Sequence, residues 1–212
     1  MTTRMATLLG GTLALAGCGG HDDFATHNYD CSVFPAAAQS PYILPWNVGE
    51  THIANPHAAW DTGAQIYAYD LGMPIGTQVL AIRDGTVIRV FESSPNNDHT
   101  LGHENYVIVE HADGTFARYV HLTTDGALVS VGDSVVQGEV IALSGNSGNS
   151  RGPHTHLDVL AHCCAASQLE NQLSPDQTIP INFRNAGQAN TGDPADLSCS
   201  LRWNVKYIAL PY

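Results

Sequence analysis

Two histidines two positions apart, His154 and His156, sit in the segment Pro153-His154-Thr155-His156-Leu157-Asp158. In a strand, residues i and i+2 point to the same face, so the two imidazoles project side by side. Such a pair suits one metal site, with one ring as ligand and the other nearer the substrate. A glycine-rich loop, Gly145-Asn146-Ser147-Gly148-Asn149-Ser150-Arg151-Gly152-Pro153, feeds directly into it. His121, in Tyr119-Val120-His121-Leu122, shares a face with Tyr119 by the same period-two argument. Asp70 stands in the otherwise apolar run Tyr67-Ala68-Tyr69-Asp70-Leu71-Gly72-Met73-Pro74, where it needs a partner that metal ligation would supply. Catalytic Zn²⁺ sites typically use about three protein ligands and leave one position for water. The helical HExxH site is absent, because His103-Glu104 is followed by Asn105, Tyr106 and Val107. No GxSxG elbow supports a serine nucleophile. A zinc site in this chain must therefore be built on strands.

The elements that would carry it read as β. Candidate strands are Gln78–Ile82, Thr86–Glu92, Asn105–Ala112, Thr115–Leu122, Val140–Ser144 and Thr155–Ala161. Asp84-Gly85 and Asp113-Gly114 are turn signals, the second between two alternating runs as a hairpin requires. Gly132-Asp133 and Gly138-Glu139 mark a further reversal. No sustained helical period interrupts this stretch. The pattern predicts an all-β, compact antiparallel sandwich or barrel-like domain. Tyr42–Trp46 reads as the start of that domain, and residues 166–212 as a C-terminal extension packed on it. The expected organisation is a signal peptide over 1–17, a tether over 18–45, the domain over 46–165 and the extension over 166–212.

Composition limits the partners. The chain has 212 residues and a formal charge of −12, with 20 Asp+Glu against 8 Lys+Arg, of which only Lys206 is lysine. Without a basic patch, nucleic-acid binding by counterion release is excluded. Eleven histidines outnumber the Lys+Arg, which draws attention to metal and proton-transfer chemistry. Residues 1–17 combine Arg4 with a short apolar run, the pattern of a secretory signal. Leu15-Ala16-Gly17-Cys18 resembles the bacterial lipobox, which implies a lipid anchor on Cys18 that ties the protein to a membrane. Gly19 rather than Asp follows, which by resemblance to enterobacterial sorting implies an outer-membrane lipoprotein facing the periplasm or cell surface. Four cysteines then remain: Cys31, Cys163, Cys164 and Cys199. An even number in an exported chain predicts two disulfides. A vicinal Cys163–Cys164 bridge would force a strained ring, so Cys31 and Cys199 are each expected to pair with one member of the doublet. The rival use of His162-Cys163-Cys164 as a second metal site suffers from adjacent ligands with poor geometry for one ion.

The order of Asp70, Pro74-Ile75-Gly76-Thr77, Asp84-Gly85-Thr86-Val87, Asn105-Tyr106-Val107-Ile108, His111, Tyr119-Val120-His121-Leu122, Gly132-Asp133, Gly138, Gly145 and Gly152-Pro153-His154-Thr155-His156 resembles peptidase family M23. These are the lysostaphin or LytM-type zinc endopeptidases, and the resemblance spans about residues 46–161. It implies a β-rich fold and hydrolysis of peptide cross-links in bacterial peptidoglycan, with Zn²⁺ as cofactor and the stem peptides as partners. By position it implies Asp70 and His156 as metal ligands and His121 and His154 as catalytic histidines. The family's usual HxxxD is missing, since Ile66 stands four residues before Asp70. The resemblance then points to His57, in Asn55-Pro56-His57-Ala58-Ala59-Trp60, as the remaining ligand, with His52 as the alternative. With no Glu base in the motif, His154 and His121 would orient or deprotonate the attacking water and stabilise the oxyanion. Tyr119 adds a hydroxyl or merely packs, and His111 is structural or sits behind the ligands. His99 and His103 fall in the polar insertion Ser93–Glu104, a loop suited to walling a substrate groove. A non-catalytic M23-like module that binds the wall or activates another hydrolase is the alternative reading.

Overall fold

A computed structural model describes residues 30–57, 63–163 and 178–212. The signal segment, Cys18, His21, His27 and Cys164 lie outside the described residues. Among the described residues twelve strands run in chain order: β1 Thr51–Pro56, β2 Tyr69–Gly72, β3 Gln78–Leu80, β4 Gly85–Phe91, β5 Tyr106–Glu110, β6 Phe116–Val120, β7 Leu122–Ala127, β8 Ser134–Val135, β9 Val140–Ser144, β10 Thr155–Leu160, β11 Ala186–Gln188 and β12 Val205–Ala209. They form a nine-stranded sheet of order β11-β12-β1-β2-β10-β6-β5-β4-β8 and a three-stranded sheet of order β3-β9-β7. All strand pairs within the two sheets are antiparallel. The large sheet ends on β11 and β8 and does not close into a barrel.

The two sheets share one core. Tyr69, Leu71, Ala117, Tyr119, Leu157 and Val159 of the large sheet pack in one cluster with Val79, Leu122, Ile141 and Ala142 of the small one. Strand alternation explains why: these residues occupy one face of β2, β6 and β10, and Asp70, Arg118, His156 and Asp158 occupy the other. β10 is buried along its whole length because it is paired on both sides, with β2 and β6. The Asp113-Gly114 hairpin joins β5 to β6, with Gly114 at φ 79°. Asp84-Gly85 matters for a different reason than a turn. A Cβ on Gly85 would lie 2.4 Å from the Glu110 carbonyl oxygen, so close approach of β4 to β5 requires glycine there.

The cysteine pairing differs from expectation. Cys31 bonds Cys199 rather than the doublet, and Cys163 is itself disulfide-bonded. The cause is the buried Asn182, whose amide donates to Pro35 O at 2.7 Å and Leu197 O at 2.9 Å. It draws the two segments together and brings the Cα atoms of Cys31 and Cys199 to 4.6 Å. This bridge closes a loop of 168 positions. Replacing both cysteines by serine is expected to cost roughly 2–5 kcal/mol of stability, read as a shift in denaturant midpoint. Histidine tautomers at the cluster described below should not change, since neither cysteine touches it.

Candidate metal centre

Asp70 anchors the cluster from the middle of β2. Register places it opposite Asn55 of β1 on one side and His156 of β10 on the other. The β1–β2 ladder runs one step past β1, with His57 N donating to Ala68 O at 2.9 Å. His57 lies two residues beyond Asn55 and therefore returns to the face of Asp70. Its Nε2 stands 3.0 Å from Asp70 Oδ1, and His156 Nδ1 stands 3.2 Å from the same oxygen. His57, Asp70 and His156 each offer one ligand atom within 4.8 Å of the others. His52, the alternative, lies five residues from His57 and faces the other way. Its ring packs against Trp46, and its Nδ1 is 3.3 Å from Gly72 O.

Two imidazoles and one carboxylate, buried or half-buried and converging on one point, fit the donor set of a catalytic zinc with a fourth position to spare. Protonation favours the same use. Burial would raise the Asp70 carboxyl, but hydrogen bonds from His154, His156 and His57 outweigh it and hold it well below the usual carboxylate range. Burial lowers His57 and keeps it neutral, as a ligand must be. Burial opposes charge on His156 too, yet its hydrogen bonds to Asp158 and Asp70 lift it to about 9.

His121 and His154 stand beside this point, their ring centroids 4.6 Å apart. His154 Nε2 lies 3.4 Å from Asp70 Oδ1. Both rings have their Nδ1 at 2.7 Å from a backbone carbonyl, Ser147 O for His121 and Gly152 O for His154. A carbonyl only accepts, so each Nδ1 carries a proton; in His121, which stays neutral, that leaves the lone pair on Nε2, while His154 Nε2 is turned to the Asp70 carboxylate. Burial, with His154 and His156 nearby, pushes His121 down to about 3. The pairing of Tyr119 and His121 on one face does not occur. His121 takes φ 62° where the chain leaves the large sheet for the small one, so the strand period ends at Val120. Tyr119 is core, its hydroxyl accepting from Ile82 N at 2.8 Å. His111 is buried at the hairpin, its Nδ1 2.9 Å from Thr115 Oγ1, and plays a structural part.

The carbonyl acceptors belong to the glycine-rich loop, and the 93–104 insertion holds that loop in place. Gly148 N donates to Asp98 O, Asn149 N to Glu104 Oε1 and Asn146 N to Asn96 Oδ1. His103 stays at the rim, paired with Asp98 at 2.7 Å. Gly148 has φ 69°, and a Cβ there would lie 2.4 Å from Glu104 Cγ and 2.7 Å from its Cα. Gly148→Ala is therefore expected to displace the loop and loosen the contact of His121 Nδ1 with Ser147 O, with metal uptake at His57, Asp70 and His156 unchanged. Nitrogen-15 spectra of the labelled histidines beside a metal titration check it, and loss of metal uptake in this variant contradicts it.

Sequence reasoning missed Arg118 and Asp158. Asp158 Oδ2 lies 3.2 Å from His156 Nε2, and Arg118 contacts both carboxylate oxygens, at 2.9 and 2.5 Å. The signal was present, since Asp158 lies two residues after His156 and so on its face.

A family model described as Peptidase family M23 matches residues 64–167. The chain is 40% identical over 124 residues to the peptidoglycan DD-endopeptidase ShyB of Vibrio cholerae, covering 58% of this chain and 27% of that protein. It is 32% identical over 140 residues to the glycyl-glycine endopeptidase ALE-1 of Staphylococcus capitis, covering 65% and 36%. It is also 37% identical over 89 residues to the murein hydrolase activator EnvC of Escherichia coli, covering 42% and 19%. The chain spans about a quarter of the length of the first curated relatives it matches.

Proposed function

Because the chain carries a domain of peptidase family M23, we propose that it is a zinc-dependent endopeptidase hydrolysing peptide cross-links of bacterial peptidoglycan. One observation carries the reading: His57, Asp70 and His156 converge on one point while His121 and His154 stand beside it, each held through Nδ1 by a backbone carbonyl. Zinc held by those three side chains supplies Lewis acidity and an acidified water at neutral pH. The protein's own groups handle the protons. Nε2 of His154 or His121 accepts the proton of the attacking water and returns it to the leaving amine nitrogen. The other ring keeps the attacking water oriented by accepting a hydrogen bond from it. The Ser147 and Gly152 carbonyls keep both rings turned for this work.

Similarity to EnvC supports a second reading, a wall-binding module that activates another hydrolase. Mass spectrometry of purified peptidoglycan digested with the protein decides between them. New peptide ends formed by the wild type and absent with His154→Ala support the endopeptidase and identify the bond. An unchanged digest with both proteins favours the activator.

The place of action in this proposal is the cell envelope, through a lipid on Cys18 at the outer membrane. Cys18→Ala is expected to move the protein from the membrane to the soluble fraction. An unmodified mature N-terminus in the native host overturns the anchor.

A further inference from the structure

The buried pair behind His156 does more than fill the sheet. Asp158 is fully buried in β10, a place where an isolated carboxylate is strongly disfavoured. Arg118 faces it across the β10–β6 ladder and grips it with two parallel hydrogen bonds. That fork alone would satisfy an ion pair. Yet the oxygen that receives the Arg118 terminal nitrogen also lies 3.2 Å from His156 Nε2. The opposite ring nitrogen, Nδ1, is the one turned to Asp70. His57 reaches Asp70 through Nε2 instead, so the two rings arrive by different nitrogens.

Resting on the zinc reading above, we infer that Asp158, locked by Arg118, is the positioning residue that fixes His156 as the Nε2–H tautomer and so delivers its Nδ1 lone pair to the metal. A carboxylate can only accept, so Asp158 retains a proton on Nε2; when a cation displaces the proton that Nδ1 shares with Asp70, the lone pair is left at Nδ1. Arg118 keeps that acceptor from rotating, a task for a planar fork and not for a point charge. Without the carboxylate the ring is free to take its other tautomer, in which Nδ1 carries a proton and cannot bind a cation.

The test uses the full chain loaded with zinc. Nitrogen-15 spectra of histidine-labelled wild type should show a proton on His156 Nε2 and a metal-shifted Nδ1. Competition with a chromophoric chelator should give Asp158→Asn a zinc affinity about 10- to 100-fold below wild type. The double variant Arg118→Met with Asp158→Leu separates positioning from packing, because an apolar pair often replaces a buried ion pair without loss of fold. It is expected to melt cooperatively and still bind zinc at least about tenfold more weakly. Zinc affinity within twofold of wild type in either variant, or a wild-type His156 protonated on Nδ1, overturns the inference. A wild type that takes up no zinc overturns the metal reading itself, and this inference with it.

Discussion

His156→Ala is expected to lose zinc and hydrolysis together, whereas His154→Ala is expected to keep its zinc and lose about 10²–10⁴-fold in turnover. The two residues are neighbours on one face, and both approach Asp70 Oδ1, at 3.2 Å and 3.4 Å. Their surroundings divide them. His156 has Asp158 behind it and joins His57 and Asp70 in the one group with mutual metal-ligand spacing among the described residues. His154 is tied through Nδ1 to Gly152 O and has the His121 ring beside it. Removing a ligand from a three-ligand site weakens the hold on the ion, while removing an outer histidine leaves the ligand set intact. His57→Ala should therefore resemble His156→Ala, and His121→Ala should resemble His154→Ala. His52→Ala is the control, since its ring sits against Trp46 and the Gly72 carbonyl. Zinc content by plasma emission, measured beside cross-link hydrolysis, reads all five variants. Zinc lost in His154→Ala and kept in His156→Ala reverses the two roles. Zinc lost in His52→Ala and kept in His57→Ala moves the ligand to His52.

How much of this cluster the sequence carried depends on how local each signal is. The His154–His156 pair needs only the two-residue strand period, and Asp70 needs only its apolar surroundings. His57 needs the β1–β2 pairing, and Thr51–Pro56 gives no alternating pattern from which to read it. Once Asn55 is known to face Asp70, parity brings His57 to the cluster and turns His52 away. His121 fails a local rule for a global reason. Period two ends where the chain changes sheets, and φ 62° at His121 belongs to that corner.

The same contrast holds for the fold. The six strands expected between Gln78 and Ala161 correspond to β3, β4, β5, β6, β9 and β10, each rich in Val, Ile or Leu except β6, which carries the aromatic Phe116 and Tyr119. The strands without a clear signal are β1, β2, β7, β8, β11 and β12. β2 has four residues and ends on Gly72, where a Cβ would meet the Ile53 side chain at 2.5 Å. β11 and β12 extend the large sheet through β1, a pairing more than 150 residues apart in the chain (Thr51 with Ile208). Contacts at that separation leave no periodic trace in either segment, and the same is true of Cys31 with Cys199.

Zinc uptake by the metal-free protein is expected to release about one proton at pH 7.5, with affinity rising about tenfold per pH unit from about pH 7 to 8.5 and levelling above about pH 9. Each ligand contributes differently. Asp70 is held below the usual carboxylate range and is already ionised. His57 is lowered by burial and is already neutral. His156 goes the other way, because Asp158 and Asp70 outweigh burial and raise it to about 9. At neutral pH its ring therefore holds two protons, and a cation at Nδ1 must displace one. The same shift acts on the metal-free fold. A pKa raised from 6.5 stabilises the folded state fully below pH 6.5, and that contribution fades as pH rises through about 9. Chelated protein should thus be weakest at the alkaline pH where zinc binds best, so the gain in melting temperature on adding zinc should grow between pH 7 and 9. Calorimetry in two buffers of different ionisation enthalpy counts the protons. Release of none, or of two, at pH 7.5 would show that His156 does not hold the extra proton, or that His57 holds one as well.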